Sequence, residues 1–394
     1  MPEDRPSKDT AVPETPRTFT LRKTIIYSLL PTFLFLGGLE SCARLYELWH
    51  PPLTLDCGWG FNEDSRIFIP AGIQRNKMTT RPEKVISFVK QSFLMPKPAG
   101  TYRMIILGGS NVNYMQMNLK VMCKRLEQYP GETRHFEIIN CGGLAYGSER
   151  LRIMTQELLQ YTPDLILIYA GHNEFEELIH KNLTNLNALP IQKTAYSLAM
   201  LRTLRDFVAT VQLTFLDPQK LRETLPPEVD WSTGTYEFSQ EELSAHMERY
   251  RENLDAIVST FRNSNIPVLI STVATNYREP GLHPAQKIIQ QEIADLYAQG
   301  QYEAGLTLAR ETLSRSARHQ ASDVENGIIR DIAEKHHLPL IEGEKLIMEA
   351  EPHGVPGETL FSDRCHITDT GRNIIVAAFE KEIHIIAAHP DSSK

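Results

Sequence analysis

The chain has 394 residues, with 41% hydrophobic and 23% charged content, enough for one large globular domain with additions or two modest ones. A formal net charge of -8, with no Lys/Arg-rich tract, excludes a general nucleic-acid binder. Five cysteines at positions 42, 57, 123, 141 and 365 show neither CxxC nor zinc-finger spacing, which excludes a dense disulfide framework; one bridge is compatible with them, and so is none.

Residues 1–20 are rich in Pro, Thr and charge and read as a disordered tail. Arg17, Arg22 and Lys23 then precede an apolar run from Thr24 to Leu39. Ser41, Cys42, Ala43 and Leu45 extend it towards the length of a membrane span, with Glu40 and Arg44 near the interface, so a span over 21–46 is expected. Cations before the run favour a single-pass, uncleaved signal anchor with a cytoplasmic N-terminus and an extracytoplasmic body. A cleaved signal peptide would have the same cationic and apolar regions, and a buried core helix a similar composition. Leu39-Glu40-Ser41-Cys42 matches a lipoprotein cleavage box only weakly, because Glu40 fits it poorly.

Residues 47–99 carry Pro51, Pro52, Pro70, Pro82, Pro96 and Pro98 and are expected to form a stalk with short strands that wraps the body. The body is expected over 100–390. Met104 to Leu107 is a short apolar run ending in Gly108-Gly109, the pattern of a buried strand entering a tight turn. Helical periodicity over 114–129 precedes a second strand at Phe136–Ile139, and a helix over about 148–160 leads to Leu165–Tyr169, the strongest buried-strand signal. Later, helices over about 241–264 and 322–336 precede strands at Pro267–Thr272 and Leu338–Ile341, and a last helix runs from about Asp369 to Ile386. Apolar strands separated by helices predict a mostly parallel sheet covered on both faces, with ligands beyond the carboxyl ends of its strands. Two helical insertions interrupt the alternation, at 177–240 and 286–318. The second has the spacing of one tetratricopeptide-like helix pair (Leu296, Tyr297, Gly300, Tyr302, Ala304, Leu308, Ala309), but a working array needs about three units, so a covering hairpin is the better reading.

Four elements follow strands in chain order. Gly108-Gly109-Ser110 places a serine at a strand-to-helix turn, where its hydroxyl is presented at the mouth of the sheet and its N–H can help to hold an oxyanion. Asn140 to Ser148 carries glycines that can expose backbone N–H groups. Gly171-His172-Asn173-Glu174 offers the Asn173 side-chain N–H, with His172 read as a shape-filling residue rather than a base. Asp363-Arg364-Cys365-His366 lets a carboxylate fold back onto an imidazole, fixing its tautomer and supporting the charge gained with a serine proton. Each is ordinary turn chemistry when taken alone.

Together, in this order, they resemble the SGNH/GDSL hydrolase superfamily, over roughly residues 102–387. Tyr169 to Phe175 is similar to a group of membrane-anchored bacterial relatives with a Gly-His-Asn-Glu block. The resemblance implies a three-layer α/β/α, flavodoxin-like SGNH fold with Ser110 as nucleophile, His366 as base and Asp363 orienting it. It also implies an oxyanion hole from Ser110, Asn173 and a donor in the second block. The departures are Gly-Gly-Ser for Gly-Asp-Ser, Glu174 for Asp, Ile367 for Pro, and Ala145 where the family's oxyanion glycine falls, leaving the donor open between Ala145 and Gly143. The expected activity is ester hydrolysis through an acyl-enzyme, on an envelope glycan, lipid or small-molecule ester. The alternatives are an O-acyltransferase on the same residues, and a non-catalytic scaffold binding a protein partner through 286–318. No cofactor and no metal is expected, since no HExxH occurs and the histidines do not cluster with carboxylates at ligand spacing. Asn276 and Arg278 follow a strand and either reach the pocket or cap that strand; Asn182 heads an Asn-x-Thr acceptor pattern.

Overall fold

The computed structural model describes residues 20–50, 66–72, 76–85, 87–180, 195, 197–215, 238–318 and 320–388. The expected tail at 1–20, all but Thr20, together with Cys57, Asn182 and much of the 177–240 insertion, lies outside them.

Helix α1 (Leu21–Trp49) continues past the expected end of the span at 46 and carries Pro31 inside it. It is long and apolar enough to cross a membrane, and its apolar window is not buried anywhere in the fold. Three short strands follow, β1 (Phe68–Ala71), β2 (Lys77–Thr80) and β3 (Ser92–Leu94), which form a small antiparallel sheet. It packs on the body: Phe68 and Phe93 meet the Tyr161 ring edge-on, at centroid separations of 5.6 and 5.0 Å. Glu157 accepts from the N–H groups of Ile67 and Phe68, which closes this sheet onto the body.

The main sheet contains β4 (Thr101–Gly108), β5 (His135–Gly142), β6 (Leu165–Tyr169), β7 (Val268–Ser271) and β8 (Leu340–Ile341), all parallel, in the order β5-β4-β6-β7-β8. Every residue of β6 and β7 is buried, which only a sheet covered on both faces permits. In register, Gly108 at the end of β4 pairs with Gly142 of β5 and with Tyr169 of β6. Helices α2 (Ser110–Tyr114) and α3 (Gln116–Leu126) join β4 to β5, and α4 (Ser148–Leu159) joins β5 to β6. After α5 (Glu174–His180) and α6 (Ala199–Phe215), α7 (Gln240–Asn263) leads into β7. The hairpin α8 (Lys287–Ala298) and α9 (Tyr302–Ser314) precedes α10 (Asp323–Lys335), and α11 (Gly343–Ala350) and α12 (Asp369–Ala388) close the chain.

Helix α7 packs on α4 and α10, while α12 packs on α3 and α11, giving the outer layers of an α/β/α sandwich. The strand order is the doubly wound, flavodoxin-like one, whose direction of winding reverses between β4 and β6. That reversal opens a crevice beyond Gly108 and Tyr169. Helices α7 and α10 start at capping boxes, Ser239 with Glu242 and Ser322 with Glu325. The α8/α9 hairpin buries Ile293, Tyr297, Ala309 and Leu313 against Tyr277, Leu282 and Val355 of the body, so its apolar face is covered by this chain. The described part of the first insertion, α6, packs against α1.

Candidate active site

Residue packing at the end of β4 leaves no choice of side chain. A Cβ on Gly108 would meet the Tyr169 carbonyl oxygen at 2.2 Å and Val112 Cγ2 at 2.4 Å; one on Gly109 would meet Asn173 Nδ2 at 2.2 Å. The two glycines let the turn sit against β6 and bring Gly109, the residue before Ser110 at the start of α2, against Asn173. Asn140 holds that turn from the next strand, donating from Nδ2 to the Val112 carbonyl at 2.8 Å and accepting from Gly142 N–H at 2.9 Å.

His366 arrives from the loop before α12. Its Nε2 lies 2.7 Å from Ser110 Oγ, and its Nδ1 lies 2.6 Å from Asp363 Oδ2. The other carboxylate oxygen, Asp363 Oδ1, accepts from the N–H groups of Cys365 (2.9 Å) and His366 (2.7 Å). Burial opposes the Asp363 charge, but the His366 hydrogen bond, the His366 charge and these two N–H donors outweigh it and hold the carboxyl well below its usual range. It is therefore ionised at neutral pH, as a partner for an imidazole taking a proton must be. Ser110 is 7% exposed and the Asp363 side chain 30%, so the pair opens outward while the hydroxyl sits at the bottom.

Two asparagines hold this loop in place. Asn111 donates to the Cys365 carbonyl (2.7 Å) and accepts from Ile367 N–H (3.1 Å), clasping both sides of His366. Asn276, after β7, donates from Nδ2 to the Asp363 carbonyl at 2.9 Å and from its backbone N–H to the Arg364 carbonyl at 3.3 Å. Arg278 instead pairs with Glu358. Asn111 escaped sequence reasoning because an Asn beside a helix start reads as a local cap; only the 256-residue separation of its partner Ile367 reveals its use.

The second block separates the two donor candidates. Gly143 N–H donates to the Gly108 carbonyl at 3.0 Å, a bond that extends the β4–β5 ladder, so it is not available to a substrate. Ala145 has φ of 59°, the left-handed region, where a glycine would sit without strain. Among the described residues its N–H has no backbone acceptor. Its carbonyl is held instead by the guanidinium of Arg150, which stacks 4.1 Å above the Tyr146 ring and donates from Nε to Glu177 at 2.8 Å. Arg150 and Glu177 are both buried, so this clamp fixes the Ala145–Tyr146 peptide, the unit that follows the one carrying the Ala145 N–H. Asn173 Nδ2 donates to the Tyr146 carbonyl at 3.2 Å.

The rest of the third block is structural. His172 Nδ1 accepts from Ala321 N–H at 3.1 Å, as expected of a shape-filling histidine. Glu174 binds Ser148 N–H (3.0 Å) and Oγ (2.6 Å), tying the third block to the second. Burial pushes its carboxyl up to about 8, helped by the charge of Glu177 and opposed by the Ser148 bonds. Asp363, Cys365 and His366 form the group of metal-ligand type found among the described residues, with donor atoms within 4.8 Å of one another. Two of them already share a 2.6 Å hydrogen bond, so a cation there would have to replace the proton between them. Among the described residues, Cys42, Cys123, Cys141 and Cys365 enter no disulfide.

No family model matches the chain, and no curated protein sequence does. Solved structures with a similar arrangement include the acetyl xylan esterase AlAXEase, at 15% identity and a TM-score of 0.41, covering 71% of this chain and 99% of that one. A catalytic mutant of Axe2, an acetylxylan esterase from Geobacillus stearothermophilus, matches at 12% identity and a TM-score of 0.40, over 72% of this chain and 94% of its own. A lipase/acylhydrolase from Enterococcus faecalis matches at 14% identity and a TM-score of 0.38, over 72% and 95%. At this level of likeness none of their activities carries over to this chain, whose function has to be argued from its own site.

Proposed function

We propose that this protein is a membrane-anchored serine ester hydrolase of the SGNH/GDSL type, working through an acyl-enzyme. The observation that carries the proposal is the hydroxyl–imidazole–carboxylate chain, with links of 2.7 and 2.6 Å, at the winding reversal of a doubly wound sheet. Ser110 Oγ attacks the ester carbonyl carbon while His366 Nε2 takes its proton, and Asp363 supports the imidazolium. The oxyanion is held by the N–H groups of Ser110 and Ala145 and by Asn173 Nδ2. His366 returns the proton to the departing alcohol. It then deprotonates a water that attacks the acyl-enzyme, and the acid leaves as Ser110 recovers its proton. Helix α1 acts as a signal anchor, and Arg22 and Lys23 before its apolar run favour an extracytoplasmic body. Such a placement suits an ester on an envelope glycan or lipid.

The test is fluorophosphonate labelling and p-nitrophenyl acetate turnover by the purified full chain. Labelling that disappears in Ser110→Ala supports the proposal. A folded wild type that neither labels nor turns over removes it. Acylated glycan as the main product, with little free acid, would assign the same residues to acyl transfer. Function that survives Ser110→Ala but not removal of α8 and α9 would assign it to a scaffold.

A further inference from the structure

Helix α6 is amphipathic, and among the described residues nothing covers its apolar side. Leu204 (59% exposed), Phe207 (67%), Val208 (41%) and Val211 (41%) recur at the spacing that lines one helix face. In a water-soluble domain such a stripe faces a core.

The position of α6 on the chain says what faces it instead. Its N-terminus is fastened to the end of α1 just where the apolar run gives way to charge. The Glu40 carboxylate accepts from the N–H groups of Ala199 and Met200, both at 3.0 Å, supplying acceptors and a negative charge to the positive end of α6. Glu47 takes a forked pair of hydrogen bonds from Arg202, at 2.9 and 2.6 Å. Arg44 pairs with Glu40 at 2.7 Å and donates to the Ser197 carbonyl. Tyr46 and Trp49, exposed on the same turns of α1, are the residue types that mark a membrane–water boundary.

The charges are arranged to match. The ionisable side chains of α6 are Arg202, Arg205 and Asp206, and the adjoining turns of α1 carry Glu40, Arg44 and Glu47. They form three neutral pairs: Arg202 with Glu47, Arg205 with Asp206, and Arg44 with Glu40. Pairing every charge is what a region of low dielectric demands, and open water asks nothing of the kind.

We infer that α6 is a second lipid-facing element, an amphipathic helix whose Leu204–Phe207–Val208–Val211 stripe lies in the acyl-chain boundary of the leaflet where α1 emerges. The inference rests on α1 spanning a bilayer. It gives the anchor two points of contact, so the body is held by an elbow, not by a single rod.

The experiment uses the full chain with Cys42→Ser and Cys57→Ser, in nanodiscs of equal parts phosphatidylcholine and phosphatidylglycerol. Spin labels are placed one at a time at Phe207→Cys, Val211→Cys, Leu34→Cys in α1 and Lys120→Cys on the body. Collision rates with oxygen, which concentrates in lipid, and with a water-soluble nickel chelate are compared. The expected result is an oxygen-to-nickel ratio at 207 and 211 several-fold above that at 120 and close to that at 34. A water-like ratio at 207 and 211 beside a lipid-like one at 34 overturns this inference and leaves the anchor standing. A water-like ratio at 34 overturns the anchor itself. Low collision with both reagents at 207 also overturns the inference, since the stripe is then covered by protein; dipolar broadening between labels would identify a second copy.

Discussion

Replacing Asp363 by Asn should abolish turnover while leaving the fold in place, and the hydrogen bonds say why. Asp363 Oδ1 accepts from two backbone N–H groups, those of Cys365 at 2.9 Å and His366 at 2.7 Å. An amide at this position must keep its oxygen there, because its NH₂ group cannot accept. The amide nitrogen is then forced into the place of Oδ2, 2.6 Å from His366 Nδ1, where it can only donate. His366 Nδ1 becomes an acceptor, and its ring proton moves to Nε2, 2.7 Å from Ser110 Oγ. The base is protonated on the atom that should take the serine proton. Replacement of a triad carboxylate by an amide costs about 10⁴-fold in kcat through this tautomer change, or about 5.4 kcal/mol of barrier. The assay is p-nitrophenyl acetate hydrolysis, with thermal unfolding to verify the fold and nitrogen-15 shifts of His366 to read the tautomer. Turnover by Asp363→Asn within tenfold of wild type, with the ring proton still on Nδ1, would refute the reasoning.

Asn173→Ala should lower kcat by about 10²–10³-fold, the usual value of one oxyanion donor, with KM little changed. Gly109→Ala should approach the same loss by displacing the Asn173 amide, since its Cβ falls 2.2 Å from Nδ2; adding it to Asn173→Ala should then cost little more, and full additivity would show that the two act separately. Arg150→Lys removes the fork that reaches both Ala145 and Glu177, and should lower kcat by up to about 10²-fold at constant KM; equal losses of kcat and thermal stability without a kcat-against-KM split would reduce Arg150 to a structural role. Glu174→Gln bears on stability against pH. The folded state keeps the Glu174 proton up to about 8, whereas a free carboxyl loses it near 4.5, so the wild type loses stability as pH rises through that window. The Gln variant should lose less, read by denaturant unfolding across the window, and an identical slope in both proteins would remove the assignment.

The framework of the fold was legible because its signals are local and redundant. The apolar runs of β4 and β6 end in glycine and admit few alternatives to buried parallel strands, and the four blocks fall where a doubly wound sheet places ligands. The second block was not resolved by the same means. Gly143 and Ala145 are both backbone donors in a glycine-rich turn, and residue type favours the glycine. The difference lies in an acceptor from another strand, the Gly108 carbonyl, which occupies Gly143. Arg150 was invisible for a related reason: a cation on a helix reads as a solvated side chain until Glu177 and the Tyr146 ring enclose it. Short strands over 47–99 were legible from the prolines that break the segment, but strands of three or four residues are too short for periodicity to give their bounds or pairing. The docking of α6 on α1 depends on the Arg202–Glu47 ion pair, between positions 155 apart, and on hydrogen bonds to Glu40, which no window along the chain can see.

The clasp made by Asn111 has a consequence for how the protein comes to be active. It joins the turn after the first strand of the main sheet to Cys365 and Ile367, which precede the final helix. The hydroxyl and the imidazole are 256 positions apart, and they meet only when the segment before that helix has docked. On the proposed function, a chain cut before His366 carries the hydroxyl without its base.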